Sequence, residues 1–136
     1  LDRLKSYCQR HQEQLPQVKW EGPVWGNEKW SYLQGADLMC LPTHSENFGI
    51  VVLETLQVGT PVLTTDTTPW SFVDTWEAGY VVSPQVDEIR EALGDFYASF
   101  NWCCGRRQEL AKKTRDHFEL PVLGRRYCKL YKSIPN

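Results

Sequence analysis

Residues 37–65 read DLMCLPTHSENFGIVVLETLQVGTPVLTT, and the order of apolar runs and punctuating residues in them decides the fold. Asp37-Leu38-Met39-Cys40-Leu41 is a short apolar run stopped by Pro42, the pattern of a fully buried strand. Phe48 to Val58 is a longer run closed by Gly59, the length and ending of a helix. Pro61-Val62-Leu63-Thr64-Thr65 then returns to the character of a buried strand. Short apolar strands alternating with helices indicate a parallel α/β sheet covered on both faces.

The flanks extend the same pattern. Residues 1–14 carry Leu4, Tyr7 or Cys8, His11 and Leu15 along one side of a helix. Val18 to Gly22 is a short strand ending at a Gly22-Pro23 break. Asn27 caps a helix through Gln34 that Gly35 ends. Gly79 to Val82 supplies a last strand, and after Pro84 only helices follow, over 86–100, 102–117 and 121–133. The expected organisation is one domain, with an α/β part over 1–83 and a helical part over 84–136.

The chain has 136 residues, 41% of them hydrophobic and 24% charged, enough for a core and typical of a globular protein. No run of 18 apolar residues is present. It begins at Leu1 without the apolar core of a signal peptide, so it reads as a piece of something larger. The five cysteines (Cys8, Cys40, Cys103, Cys104, Cys128) show no metal-ligand spacing. Cys103-Cys104 has the adjacency of a redox pair, but reduced thiols in a cytosolic protein are the preferred reading. Residues 1–105 hold 6 basic and 14 acidic side chains, whereas 106–136 hold 9 basic and 3 acidic. Such a basic end suits either packing on the acidic remainder or contact with an anionic membrane surface; no nucleic-acid partner is expected.

The chemistry gathers between Glu46 and Glu54. The loop Pro42-Thr43-His44-Ser45-Glu46-Asn47 follows the strand 37–41, at the carboxyl end where open parallel sheets bind ligands. Gly49 permits close approach to the first turn of the helix, where unpaired N–H groups and the dipole favour an anion such as a diphosphate. Glu46 would repel that anion and serves better as an acceptor for sugar hydroxyls. Glu54 lies five positions beyond Gly49, about 7.5 Å along a helix axis, a displacement that suits a ribose. Its apolar neighbours Ile50, Val51, Val52, Leu53 and Leu56 predict burial, and a buried carboxylate must be paired. A structural lysine, backbone amides or ligand hydroxyls would each serve. His44-Ser45-Glu46 are consecutive and cannot form a hydrolytic triad among themselves.

On these residues the stretch 20–83 resembles the latter part of the nucleotide-binding domain of GT-B glycosyltransferases, specifically the retaining family 4. The shared features are Trp20 and Gly22 after a strand, Ala36-Asp37, the E-x7-E pair Glu46 and Glu54, Phe48-Gly49, and Leu56-Gln57-Val58-Gly59-Thr60-Pro61-Val62. Phe118 and the helix through Tyr127 and Tyr131 resemble the family's C-terminal region. The resemblance implies a Rossmann-like parallel sheet with flanking helices, the C-terminal half of a GT-B fold, with a helical C-terminal tail. It implies that Glu46 is the catalytic carboxylate near the donor sugar. Asn47, Phe48, Gly49 and Ile50 would line sugar and phosphate, and Glu54 would hold the ribose. The implied reaction is glycosyl transfer from a nucleoside diphosphate sugar with retention, without metal or cofactor, to a glycan or lipid-linked acceptor. The absence of any D-x-D pair fits metal independence.

The chain also departs from the family. Thr67-Thr68-Pro69-Trp70-Ser71-Phe72 stands where many relatives carry Gly-Gly and Glu, a version resembling the branch that builds bacterial surface polysaccharides. Trp70 there reads as buried packing, with sugar stacking as its alternative. In the order 3-2-1-4-5-6 the four predicted strands would be 3, 4, 5 and 6. Strands 2 and 1, an Arg/Lys pair for the diphosphate and the acceptor domain are expected outside this chain, which alone would be inactive. The edge of strand 37–41 is expected to pair with strand 18–22 or with another molecule. The expected location is cytoplasmic, at the inner face of the membrane. Alternatives are another GT-B enzyme such as a nucleotide-sugar epimerase, or a non-catalytic interaction module; no G-x-G-x-x-G occurs to support a dinucleotide-binding domain.

Overall fold

The central strand is β2 (Val62–Thr65), buried along its whole length. A computed structural model describes residues 2–11, 13, 18–99 and 104–133. Among these, β2 is flanked in parallel by β1 (Met39–Leu41) and β3 (Gly79–Val82), in the order β1-β2-β3. Met39, Val62 and Gly79 lie in register, as do Leu41, Thr64 and Val81. Parallel neighbours need crossovers. α3 (Ile50–Gln57) joins β1 to β2, and α4 (Phe72–Thr75) lies between β2 and β3. α1 (Asp2–Arg10) and α2 (Gly26–Gly35) precede the sheet; α5 (Val86–Ala98), α6 (Cys104–Phe118) and α7 (Leu120–Ser133) follow it. The α/β architecture with a helical C-terminal end is therefore as expected.

Strand pleating divides the packing. Val62 packs with Val52 and Leu56 of α3, Val73 and Ala78 around α4, Trp70, and Leu110 of α6. Met39, Leu41 and Val81 flank that cluster. On the other face Tyr80 meets Phe96 of α5, ring centroids 6.4 Å apart. Cys40, which shares register with Leu63 and Tyr80, remains exposed. The expectation that strand 37–41 is fully buried is therefore corrected: α5 packs on β3, at the far side of the sheet from Cys40.

Gly59 ends α3 in the left-handed region (φ +81°) and lets α6 close on it. A β-carbon at Gly59 would stand 2.1 Å from the Arg107 carbonyl oxygen, so the glycine is required for the backbones to meet. Arg107 then satisfies the C-terminal end of α2, donating to the carbonyls of Gln34 (2.9 Å) and Ala36 (2.6 Å). Arg115 reaches the Gln57 carbonyl at the end of α3, and Arg106 pairs with Glu77 at 3.0 Å. Much of the basic surplus on α6 thus joins helix to body. At the α6–α7 junction, burial followed by the Arg126 charge pushes the His117 imidazole below its ordinary value.

Several boundaries differ from expectation. Val18 to Gly22 is irregular rather than a strand; Val18 and Trp20 are exposed, and Lys5 covers the Trp20 ring at 5.7 Å. Its β-prone residues pair with no described strand, and no described residue ladders onto the outer edge of β1. The N-cap of the second helix is Trp25 without a side-chain cap bond, not Asn27, and Gly35 is still helical. The first helix ends at Arg10. The four-residue α4 was not anticipated. Residues 100–103, where two expected helices meet and which include Cys103, lie outside the described residues.

Gly59→Ala should lower stability by on the order of 3 kcal/mol, combining left-handed strain with overpacking against Arg107. Gly94→Ala, in open space on α5, should raise it by about 0.5–1 kcal/mol. Urea unfolding midpoints check both, and equal effects at the two glycines would contradict the packing described.

Candidate functional site

The loops that leave the carboxyl ends of β1 and β2 are tied together by threonines. The hydroxyls of Thr65 and Thr67 both donate to the Thr43 carbonyl, at 2.5 and 2.8 Å. Thr64 donates to the Leu41 carbonyl at 3.3 Å, and Thr68 to the Thr65 carbonyl at 2.8 Å. Short β-branched side chains can close such bonds at little entropic cost. Thr64 and Thr65 are fully buried and their hydroxyls satisfied, so the two loops are held as one rim.

Trp70 closes the rim from beneath. It is 1% exposed, confirming its expected packing role, and its ring contacts Phe48 (5.0 Å), Phe72 (5.3 Å) and Phe118 (5.9 Å). The indole Nε1 donates to the Phe48 carbonyl. That bond fixes the segment carrying the candidate site residues.

Within the segment Glu46 is half-buried and its Oε1 accepts from the Asn47 amide at 3.0 Å. Asn47 is exposed, as are Phe48 (45%) and Ile50 (66%). Gly49 caps α3 in the left-handed region (φ +68°). A β-carbon there would meet Glu46 Cγ at 3.1 Å and Trp70 Nε1 at 3.4 Å. The space that the sequence reading reserved beside Gly49 for a ligand is taken by Glu46 and Trp70; the glycine brings the loop carboxylate against the helix mouth. The first amides of a helix point back along its axis toward the loop it follows, the polarity that favours an anion.

Glu54 is not enclosed by its apolar neighbours. At helical spacing it shares a face with Ile50 and Gln57, opposite the buried ridge Val52, Thr55 and Leu56. Its side chain is 19% exposed, and Lys29 of α2 holds its Oε1 at 2.5 Å. The lysine is one of the partners left open above, and its identity comes from the fold. It also stands 4.9 Å from the Trp30 ring centroid. Loop and helix thus place Glu46, Asn47, Phe48, Gly49 and Ile50 together, with Glu54 farther along α3. Sequence reasoning missed Lys29 and the threonine clasp. The repeated threonines at 64, 65, 67 and 68 were the available signal for the clasp, whereas nothing local marked Lys29. Among the described residues no cluster of His, Cys, Asp or Glu is arranged to hold a metal ion. No helix among them is long and apolar enough to cross a membrane.

Comparison with known proteins bears on this geometry. The family described as glycosyl transferases group 1 matches residues 2–117. Sucrose-phosphate synthase from Thermosynechococcus elongatus has a similar structure, with a TM-score of 0.73 and 22% identity. The match covers 98% of this chain and 35% of the other, so this chain spans about a third of that protein's length. At that identity the likeness shows the fold. Among curated protein sequences none matches.

Trp70→Phe keeps most of the ring packing but leaves the Phe48 carbonyl without its indole donor, and should cost about 1–2 kcal/mol. Trp70→Ala should cost about 3–5 kcal/mol through the cavity. Chemical denaturation of the two variants checks the order; equal losses would remove the ring packing from the account, and an unchanged Trp70→Phe would remove the hydrogen bond.

Proposed function

Since the chain belongs to the glycosyl transferases group 1 family, we propose that it is the donor-binding part of a glycosyltransferase acting on a nucleoside diphosphate sugar. The observation that carries this reading is the juxtaposition, at the carboxyl end of β1, of a carboxylate, a left-handed glycine and a helix N-terminus. A diphosphate would lie at the mouth of α3, against its first amides. Glu46 would accept hydrogen bonds from sugar hydroxyls. A carboxylate there would also oppose the positive charge that builds at the anomeric carbon as the glycosyl bond breaks. Asn47, Phe48 and Ile50 would line the sugar, and Glu54 the ribose.

Retention, metal independence, a glycan or lipid-linked acceptor, and a role in bacterial surface polysaccharide synthesis are the finer parts of this proposal. They rest on the motif resemblance, with the Thr67-to-Phe72 version of the second loop behind the last. The acceptor would be held by a part of the protein beyond these 136 residues, and a sheet strand from that part would find at β1 an edge that no described residue pairs. The isolated chain is accordingly expected to bind donor nucleotide without catalysing transfer. One observation favours a second reading, a fold-retaining interaction module: Glu54 already has a partner in Lys29.

Titration calorimetry with UDP, GDP and ADP separates the two. The enzyme reading expects one nucleotide to bind. It expects Glu54→Ala to weaken that nucleotide roughly 10- to 100-fold, the loss of hydrogen bonds to a charged group. Absence of binding by all three would favour the module.

A further inference from the structure

We propose that Lys29 is a positioning residue for Glu54, and that the two side chains together, rather than Glu54 alone, recognise the vicinal 2′,3′-diol of a nucleotide's ribose. The inference deepens the reading of the site given above and rests on it.

The pair is built from separate elements. α2 carries Lys29 and packs on α3, which carries Glu54. α2 is fixed near its C-terminal end by Thr60, whose hydroxyl donates to the Leu33 carbonyl at 2.7 Å, and by Arg107 on Gln34 and Ala36. Lys29 therefore reaches α3 from an anchored helix. Its ammonium has the Trp30 ring on one side and Glu54 Oε1 on another, which narrows the positions open to a long side chain.

The pair is also accessible. The Lys29 and Glu54 side chains are 32% and 19% exposed, in contrast to a dry internal ion pair. The pair satisfies a largely buried carboxylate and still leaves part of each side chain open to a ligand. Its chemistry fits a diol. A carboxylate only accepts hydrogen bonds and an ammonium only donates them, whereas each hydroxyl does both. With Oε1 on Lys29, Oε2 faces no other donor among the described residues and is left to accept from one hydroxyl. The ammonium, with two N–H groups beyond the one on Oε1, donates to the oxygen of the neighbouring hydroxyl. Glu54 unsupported would turn among rotamers and add to the negative charge met by a diphosphate at the helix mouth. Lys29 fixes the carboxylate and offsets that charge.

The test compares each of UDP, GDP and ADP with its 2′-deoxy counterpart by calorimetry, on wild type, Lys29→Met and Lys29→Arg. For the nucleotide that binds, wild type is expected to favour the ribose form by several-fold to roughly tenfold, the scale of one net hydrogen bond. Lys29→Met should bring that preference to within about twofold, and Lys29→Arg should restore part of it. Circular dichroism and urea midpoints near wild type would show that the variants fold. A ribose preference that survives in folded Lys29→Met, with or without a general loss of affinity, would overturn the proposal. So would a wild type that binds but ignores the 2′-hydroxyl, and that result would leave the broader nucleotide reading standing. A wild type that binds none of the three nucleotides would overturn both.

Discussion

A buried indole gripping a backbone carbonyl governs the geometry at the carboxyl edge of the sheet. The Trp70 side chain belongs to the core, yet its single donor is spent on Phe48, in the loop that precedes α3. A buried N–H without an acceptor is costly, so the loop and the core cannot move independently. Gly49 is the counterpart of that constraint: its backbone is left-handed, and a β-carbon there would press on Glu46 Cγ at 3.1 Å and touch the indole nitrogen at 3.4 Å. The threonine clasp then ties the same loop to the end of β2. Position of the loop carboxylate is thus an outcome of core packing, not of the loop's own preference.

A second set of contacts explains how a short three-stranded sheet supports so large a helical portion. α6 lies against the end of α3 at Gly59, and its arginines bind carbonyls at the C-terminal ends of both α2 and α3. Those carbonyls lack intrahelical partners and carry the negative end of the helix dipole, so guanidinium groups suit them better than isolated surface carboxylates would. The charge asymmetry between the two parts of the chain is expressed in this docking. On α7 the basic residues Arg125, Lys129 and Lys132 are exposed, along with Tyr127 and Leu130.

What the sequence disclosed follows from what was local. Strands around Val62 and Gly79 were legible because short apolar runs between glycine and proline breaks admit few other structures. The helix after Gly49 and its end at Gly59 were legible for the same reason. The segment Val18 to Gly22 is not a strand although its composition is β-prone, because a strand exists only if it finds a partner and no described strand pairs with it. Cys40 misled because burial depends on which face a covering helix reaches. α4, at four residues, is too short to show a period. Glu54 lies on the helix that its spacing predicts, but its sequence neighbours do not describe its surroundings. The helix turns those neighbours inward and brings the carboxylate to Lys29, 25 positions away.

The two carboxylates of the E-x7-E pair consequently occupy different electrostatic settings. Glu46 is held by its neighbour's amide, a neutral donor, and no described lysine or arginine forms a salt bridge with it. Its charge remains available to oppose a developing positive centre. Glu54 is locally neutralised by Lys29, which makes it a poor counter-ion but a well-oriented hydrogen-bond acceptor. On the proposed reading, that difference assigns the roles. The unneutralised carboxylate belongs beside the sugar, where charge changes during transfer, and the neutralised pair beside the ribose, where it does not. An anion between them is repelled chiefly from the Glu46 side, so the positive end of α3 and further cations would have to hold it. On that reading the site would be specific in hydrogen bonding and would need positive charge from beyond Glu46 and Glu54.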